Sequence, residues 1–162
     1  MTKPIITAAN ITVGYLKSLV ADIPDNRLTE LAGKLPNHPA WQIGHVVFAY
    51  NGAVTLLGGA SILAPGHEAK YGMGTRSSAN RSDYPSKDEL LAMLDKAHAA
   101  AMAAITANFS THADKPNPIP GFEKMAPTIG DAVVFLVTGH TGGHAGQVSS
   151  WRREAGMPGL GF

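Results

Sequence analysis

His140 and His144 stand four residues apart in the run His140-Thr-Gly-Gly-His144-Ala-Gly-Gln147. In an α-helix that spacing is a little over one turn, so both imidazoles leave the same side and can reach one metal ion. At about 100° per residue, Val133, Leu136, Val137, Val148 and Trp151 gather on one stripe, and His140, His144 and Gln147 fall within it. The pair is therefore expected to point into the protein. The stretch from Pro39 to Leu57 offers a second apolar face, carrying Trp41, Phe48 and Leu56, on which His45 also lies. Three histidines from two helices thus converge on one interior. A buried imidazole needs partners for both ring nitrogens, and a metal satisfies one while the other fixes the tautomer. A hydrogen-bonded core histidine is the simpler reading of any one of them alone; a shared ion is the reading of His45, His140 and His144 together.

Three neutral imidazoles with no thiolate suit one divalent ion, Zn²⁺ first, with Ni²⁺ or Fe²⁺ also served by such ligands. Three protein ligands leave a coordination position open, whereas a structural zinc site normally fills its fourth from the protein. An ion of this kind lowers the pKa of bound water to about 7 or holds an incoming thiol as thiolate, and either is a nucleophile at neutral pH. The chain has no cysteine, so thiol chemistry would have to come from a bound small molecule.

Other residues near this centre carry two readings each. Gln147 shares the histidine stripe and either orients a bound water or ligand histidine, or ties two helices together as a buried amide. His98, with Leu91, Leu94 and Ile105 on the inner face of its helix, is either a satisfied core histidine, the preferred reading, or a fourth ligand or proton carrier. Tyr71 and Thr75 belong to a long connection that could pass over the site or be ordinary loop. Gly72 and Gly74 lack the strand-to-helix context of a phosphate loop. His38 belongs to a helix start, and His67 and His112 are expected to face solvent. No buried carboxylate pair is evident, which weakens a glycosidase-like mechanism.

These side chains need helices to hold them, and the sequence supplies four with almost no strand signal. The first spans about Thr7 to Val20, with Ile6, Ala9, Val13, Leu16 and Val20 on one face. A short turn around Arg27 to Leu31 ends at Gly33 and Pro36. The second helix starts near Pro39 and stops near Gly58-Gly59. Ser61 to Pro85 reads as one long polar connection. Ser86 and Glu89 form a capping-box pattern opening a third helix that runs to about Asn108. After a proline-rich loop, Thr128 and Asp131 mark the start of a fourth, which carries the histidine pair and ends near Gly156. Such elements imply an all-α, antiparallel four-helix bundle with long inter-helix connections, and bundle interiors commonly house metal sites.

The composition agrees. With 162 residues and 44% hydrophobic content, the chain is expected to form a single domain over 1–162. The formal charge is +1, and no basic run exceeds Arg152-Arg153, so nucleic acid is not an expected partner. No leader pattern and no stretch of about 20 apolar residues is present, which sets the expectation of a cytoplasmic protein away from membranes.

The segment Trp41-Gln-Ile-Gly-His45, the loop Tyr71-Gly-Met-Gly-Thr75 with Arg81-Ser-Asp-Tyr-Pro85, and the helix His140-x-x-x-His144-x-x-Gln147 resemble the DinB-like superfamily, in matching order over most of the chain. The resemblance implies a four-helix bundle that commonly holds a divalent metal with one histidine from its second helix and two from its fourth. Carried over, these are His45, His140 and His144. Relatives include thiol S-transferases using mycothiol, bacillithiol or glutathione, hydrolases, and proteins without an assigned reaction, so the family implies fold and site more firmly than substrate. The leading expectation is a metal-dependent small-thiol S-transferase with a low-molecular-weight thiol and a small-molecule substrate. The rivals are a hydrolase using metal-bound water and a non-enzymatic metal- or ligand-binding stress-response protein.

Gly139, Gly142, Gly143 and Gly146 stand inside the fourth helix, where each costs about 0.8 to 1 kcal/mol relative to Ala. Their spacing is expected to let another helix approach closely, either within the bundle or from a second subunit in a homodimer.

Overall fold

The computed structural model describes residues 2–160, and these form an all-helical protein whose one β-bridge pairs Pro116 with Thr128. Helix α1 spans Lys3–Val20, α2 Pro39–Leu56, α3 His67–Tyr71, α4 Lys87–His112, α5 Ile129–Phe135 and α6 Thr141–Glu154, with a π-helical segment Leu136–His140 joining the last two. The expected fourth helix is thus one continuous run containing a π-segment, a feature that a constant 3.6-residue period cannot reveal.

Local chemistry accounts for the boundaries. Ser86 and Glu89 close a reciprocal capping box at the start of α4, the Ser86 amide donating to Glu89 Oε2 at 2.8 Å and the Glu89 amide to Ser86 Oγ at 3.3 Å. Thr128 and Asp131 repeat the device at α5. Helix α1 begins earlier than expected, at Lys3, because Pro4 is preorganised for a first helical turn. Helix α4 runs past Asn108 to His112. The turn expected at Arg27 to Leu31 is a 3₁₀ turn at Asp25–Arg27. The Ser61 to Pro85 connection is not wholly irregular: it holds α3 and a 3₁₀ turn at Arg81–Asp83, both too short to show a hydrophobic period.

Pairs of touching residues give the helix directions. Asn10 with His98 and Lys17 with Asp95 set α1 antiparallel to α4. Gln42 with His144 and Gly52 with Leu136 set α2 antiparallel to the last helical run. Tyr50 with His98 and Leu57 with Asn108 make α2 and α4 parallel, and Leu19 with Arg152 and Thr12 with Gly142 make α1 and α6 parallel. A parallel α2/α4 pair obliges the chain to return along the bundle, which is the work of residues 57–86.

Helix α2 is the spine. Nearly all of it is buried, from Pro39 through Val47 and on to Leu56, so it does not have the single apolar face that its sequence suggests. A helix enclosed on all sides has no stripe to distinguish. By length and composition alone the helix that includes α4 could cross a membrane, yet Leu90, Leu94, Ala97, Ala101 and Ile105 are buried within the bundle. Its apolar reading comes largely from alanines.

Candidate metal centre

His45 of α2 and His140 and His144 of the last helical run each bring one ring nitrogen within 4.8 Å of the others. The His140 and His144 Nε2 atoms are 3.2 Å apart. Two imidazole nitrogens on one tetrahedral zinc, each about 2.0 to 2.1 Å from it, stand about 3.3 Å apart, so this pair already has the spacing of co-ligands.

The tautomers follow from the partners behind each ring. His45 Nδ1 lies 2.5 Å from the backbone carbonyl of Tyr71, which can only accept; Nδ1 therefore carries the proton and Nε2 the lone pair. Tyr71 reaches that position because residue 44 is glycine. A Cβ there would sit 2.2 Å from the Tyr71 ring. On the other face of His45, Trp41 stacks at 4.6 Å between ring centroids, and its indole N–H donates to Thr75 Oγ1 at 3.1 Å. Thr75 in turn donates to the carbonyl of Gly72 at 2.9 Å. Tyr71 and Thr75 thus lie behind His45 and Trp41 and position them through a carbonyl and a hydroxyl.

His144 Nδ1 donates to the side-chain oxygens of Gln42 and Gln147, the latter at 3.0 Å, which leaves its Nε2 as the acceptor facing His140. Gln147 is exposed, contrary to its expected place on an interior stripe; the buried amide joining the two helices is Gln42, 2% exposed. The sequence pattern does not single out Gln42, although it lies three residues before His45 on the same helix. An amide in an otherwise apolar buried run was the available signal. His140 is the least supported ligand: its Nδ1 is buried and has no hydrogen-bond partner among the described residues.

The π-segment ends on His140, and Thr141 stabilises it by donating to the carbonyl of Leu136 at 3.1 Å. Its wider turn rotates the helix between Val133 and His140 away from ideal α phase, so Leu136 is half-exposed while Val137 is buried. Aromatic rings border the centre, with Phe48 at 6.0 Å from His45 and Phe135 at 5.9 Å from His140.

Burial is the main electrostatic influence. It pushes His140, with help from the neighbouring His45, from the ordinary 6.5 down to about 4. Burial together with His140 and His45 pushes His144 down to about 3, against the pull of Gln147. His45 is lowered by burial too, opposed by the Tyr71 carbonyl. All three rings are therefore neutral at pH 7, the state a metal needs. The donor set fits a divalent ion: neutral imidazoles, two with fixed tautomers, and nitrogens already at co-ligand spacing.

The remaining histidines lie elsewhere. His98 Nε2–H donates to Asn10 Oδ1 at 2.8 Å and its ring faces Tyr50, outside the three-histidine group. His38 caps α2, accepting the Trp41 amide at 3.2 Å. His67, expected to face solvent, is 5% exposed because its Nε2–H donates to the carbonyl of Gly44 at 2.9 Å. His112, also expected in solvent, is half-buried beside Asn108.

The glycines divide. A Cβ at Gly142 would lie 3.6 Å from Thr12 of α1, an ordinary contact, so the approach of α1 and α6 does not depend on glycine there, whereas Gly143 and Gly146 face open space and Gly139 meets only Phe135 of its own helical run.

A family model described as the DinB superfamily matches residues 11–148, a span that includes all three histidines. No curated protein and no solved structure matches the chain.

Proposed function

Because this chain belongs to the DinB superfamily, we propose that it is a divalent-metal-dependent enzyme that activates a small thiol for transfer to an electrophile at His45, His140 and His144. The observation that carries the proposal is the convergence of three neutral imidazoles whose nitrogens lie within 4.8 Å of one another. Zinc is the ion we assign first. A divalent ion held by three neutral ligands keeps its full charge and supplies Lewis acidity, which makes a thiol acidic at neutral pH.

The chain's own residues perform the supporting work. The Tyr71 carbonyl and the side chains of Gln42 and Gln147 hold His45 and His144 with lone pairs inward. Trp41, Phe48 and Phe135 line the centre with apolar surface, which limits competing water. In the reaction, the thiol loses its proton to solvent, its sulfur forms a bond to the electrophilic carbon, and the leaving group departs with the electron pair of the broken bond.

Thiol transfer is preferred to hydrolysis for a specific reason. Among the described residues, the ligand group clustered within 4.8 Å consists of the three imidazoles alone and includes no carboxylate. A thiol, with an ordinary pKa of about 8.5, needs little help to ionise, whereas water attack gains from a nearby general base.

The test is metal content by plasma mass spectrometry on untagged protein and its His45→Ala, His140→Ala and His144→Ala variants, paired with thiol-dependent consumption of an electrophile. The expected result is near one equivalent of metal in the native protein, lost in each variant, with thiol consumption lost in parallel. Product release that proceeds without thiol would instead identify a hydrolase, and metal binding with neither activity would identify a binding protein.

A further inference from the structure

A cavity adjoins α2 on a different side from the histidine cluster. Its volume is about 150 Å³. Val47 of α2, Met93 of α4 and Ile62 and Leu63 of the following connection give it apolar walls, and His67 and Lys96 give it polar atoms. Val47 lies two residues beyond His45, so helical phase turns it well away from the metal centre.

The polar atoms are chemically defined. His67 Nε2 is 2.9 Å from the Gly44 carbonyl, which can only accept, so Nε2 carries the proton and Nδ1 the lone pair. Burial and the nearby Lys70 hold His67 below its ordinary value, against the Gly44 carbonyl, so the ring is neutral at pH 7 and the lone pair is present. Neither His67 Nδ1 nor Lys96 Nζ makes a hydrogen bond or ion pair among the described residues.

We propose that this cavity binds a monocyclic phenol, with the ring among Val47, Ile62, Leu63 and Met93 and the hydroxyl donating to His67 Nδ1. Size selects the ring, since an apolar cavity of about 150 Å³ accommodates benzene. Hydrogen bonding selects the hydroxyl. It donates to the His67 lone pair, and its oxygen can accept from Lys96. A carboxylate would oppose its own lone pairs to that of Nδ1, and an unsubstituted ring would leave Nδ1 unmet. This inference stands apart from the proposed thiol chemistry, because none of the three clustered histidines lines the cavity.

Titration calorimetry of phenol, toluene and benzoate into the full chain as purified tests it, with ¹H–¹⁵N spectra to locate the ligand. One phenol per chain is expected, with toluene and benzoate weaker by about tenfold or more. Phenol should shift the amides of Ala64, His67 and Ala97 and leave those of Gly143 and Ala145, beside the histidine pair, in place. Ala64→Trp, made at an exposed wall position, should fill the cavity and abolish binding; Met93→Trp is a second variant with the same expectation. Absence of phenol binding at millimolar concentration overturns the proposal. So does toluene or benzoate binding as tightly as phenol, or shifts confined to the clustered histidines.

Discussion

Tyr71 and His45 are joined at two levels: the Tyr71 carbonyl accepts the His45 Nδ1 proton at 2.5 Å, and the Tyr71 ring rests where a side chain on Gly44 would be. The residue before the ligand thus makes room for the residue that orients it.

Gly44→Ala should therefore injure the centre without touching a ligand. A Cβ 2.2 Å from the ring forces Tyr71 away and removes the carbonyl from His45. Metal affinity should fall about 10- to 100-fold, the usual effect of losing a partner behind a ligand. Overpacking should lower stability by about 1 to 3 kcal/mol. Chelator competition and thermal melts measure the two effects; unchanged affinity would mean that Tyr71 does not orient His45.

Gln42 and Gln147 both accept from His144 Nδ1, yet only Gln42 is buried. Gln42→Ala should weaken metal binding by about 10- to 100-fold and Gln147→Ala by less, since water can replace an exposed amide. Equal losses in a zinc titration would contradict this ordering.

Acid should destabilise the metal-free protein through the same rings. His140 and His144 fall from 6.5 to about 4 and about 3 on folding, so the unfolded chain binds more protons between those values. Their favourable contribution is fully present above pH 6.5 and is lost as pH falls through about 4 and about 3. Denaturant midpoints taken from pH 7 to pH 3 should decline across this window, and His144→Ala should flatten the decline. A slope identical in the variant would show that the histidines do not cause it.

Gly143→Ala separates a free helix face from one covered by a second chain. A Cβ at this position meets nothing within 4 Å in the single chain. Alanine should therefore stabilise the protein by about 0.8 to 1 kcal/mol with unchanged mass in solution. A loss of stability together with a smaller mass by light scattering would instead reveal a homodimer packed on this face.

Arg152 offers a control remote from the cluster. Its guanidinium pairs with Asp22 and donates to the carbonyls of Leu19 at 2.8 Å and Pro158 at 2.8 Å. Arg152→Ala leaves the buried Leu19 carbonyl without this partner, while the exposed Pro158 carbonyl and Asp22 carboxylate turn to water, and should cost about 1 to 3 kcal/mol. Metal content per folded molecule should stay unchanged; its loss would tie the centre to this end of α6.

The sequence made the helical architecture and the histidine cluster legible for different reasons. Ser86 with Glu89 and Thr128 with Asp131 announce helix starts because their chemistry is local. His140 and His144 announce a shared site because their spacing lies within one helix. Gln42 and the depth of His67 were hidden, since both depend on neighbours far along the chain. A uniform helical period puts Gln147 too deep because the segment before it is π-helical. The parallel pairing of α2 with α4 is likewise a property of packing, invisible to any periodicity in one element.

The helix that completes the cluster is far from the one that begins it: Gln42 and His144 are 102 residues apart. At about 5 to 20 residues per second of synthesis, the second half of this centre is made about 5 to 20 s after the first. During that interval a nascent chain has His45 and Gln42 but no pair to complete them. Under the proposed function, capture of the ion is thus a late event in the protein's biogenesis, and a ribosome stalled between α2 and α6 would present one imidazole where three are needed.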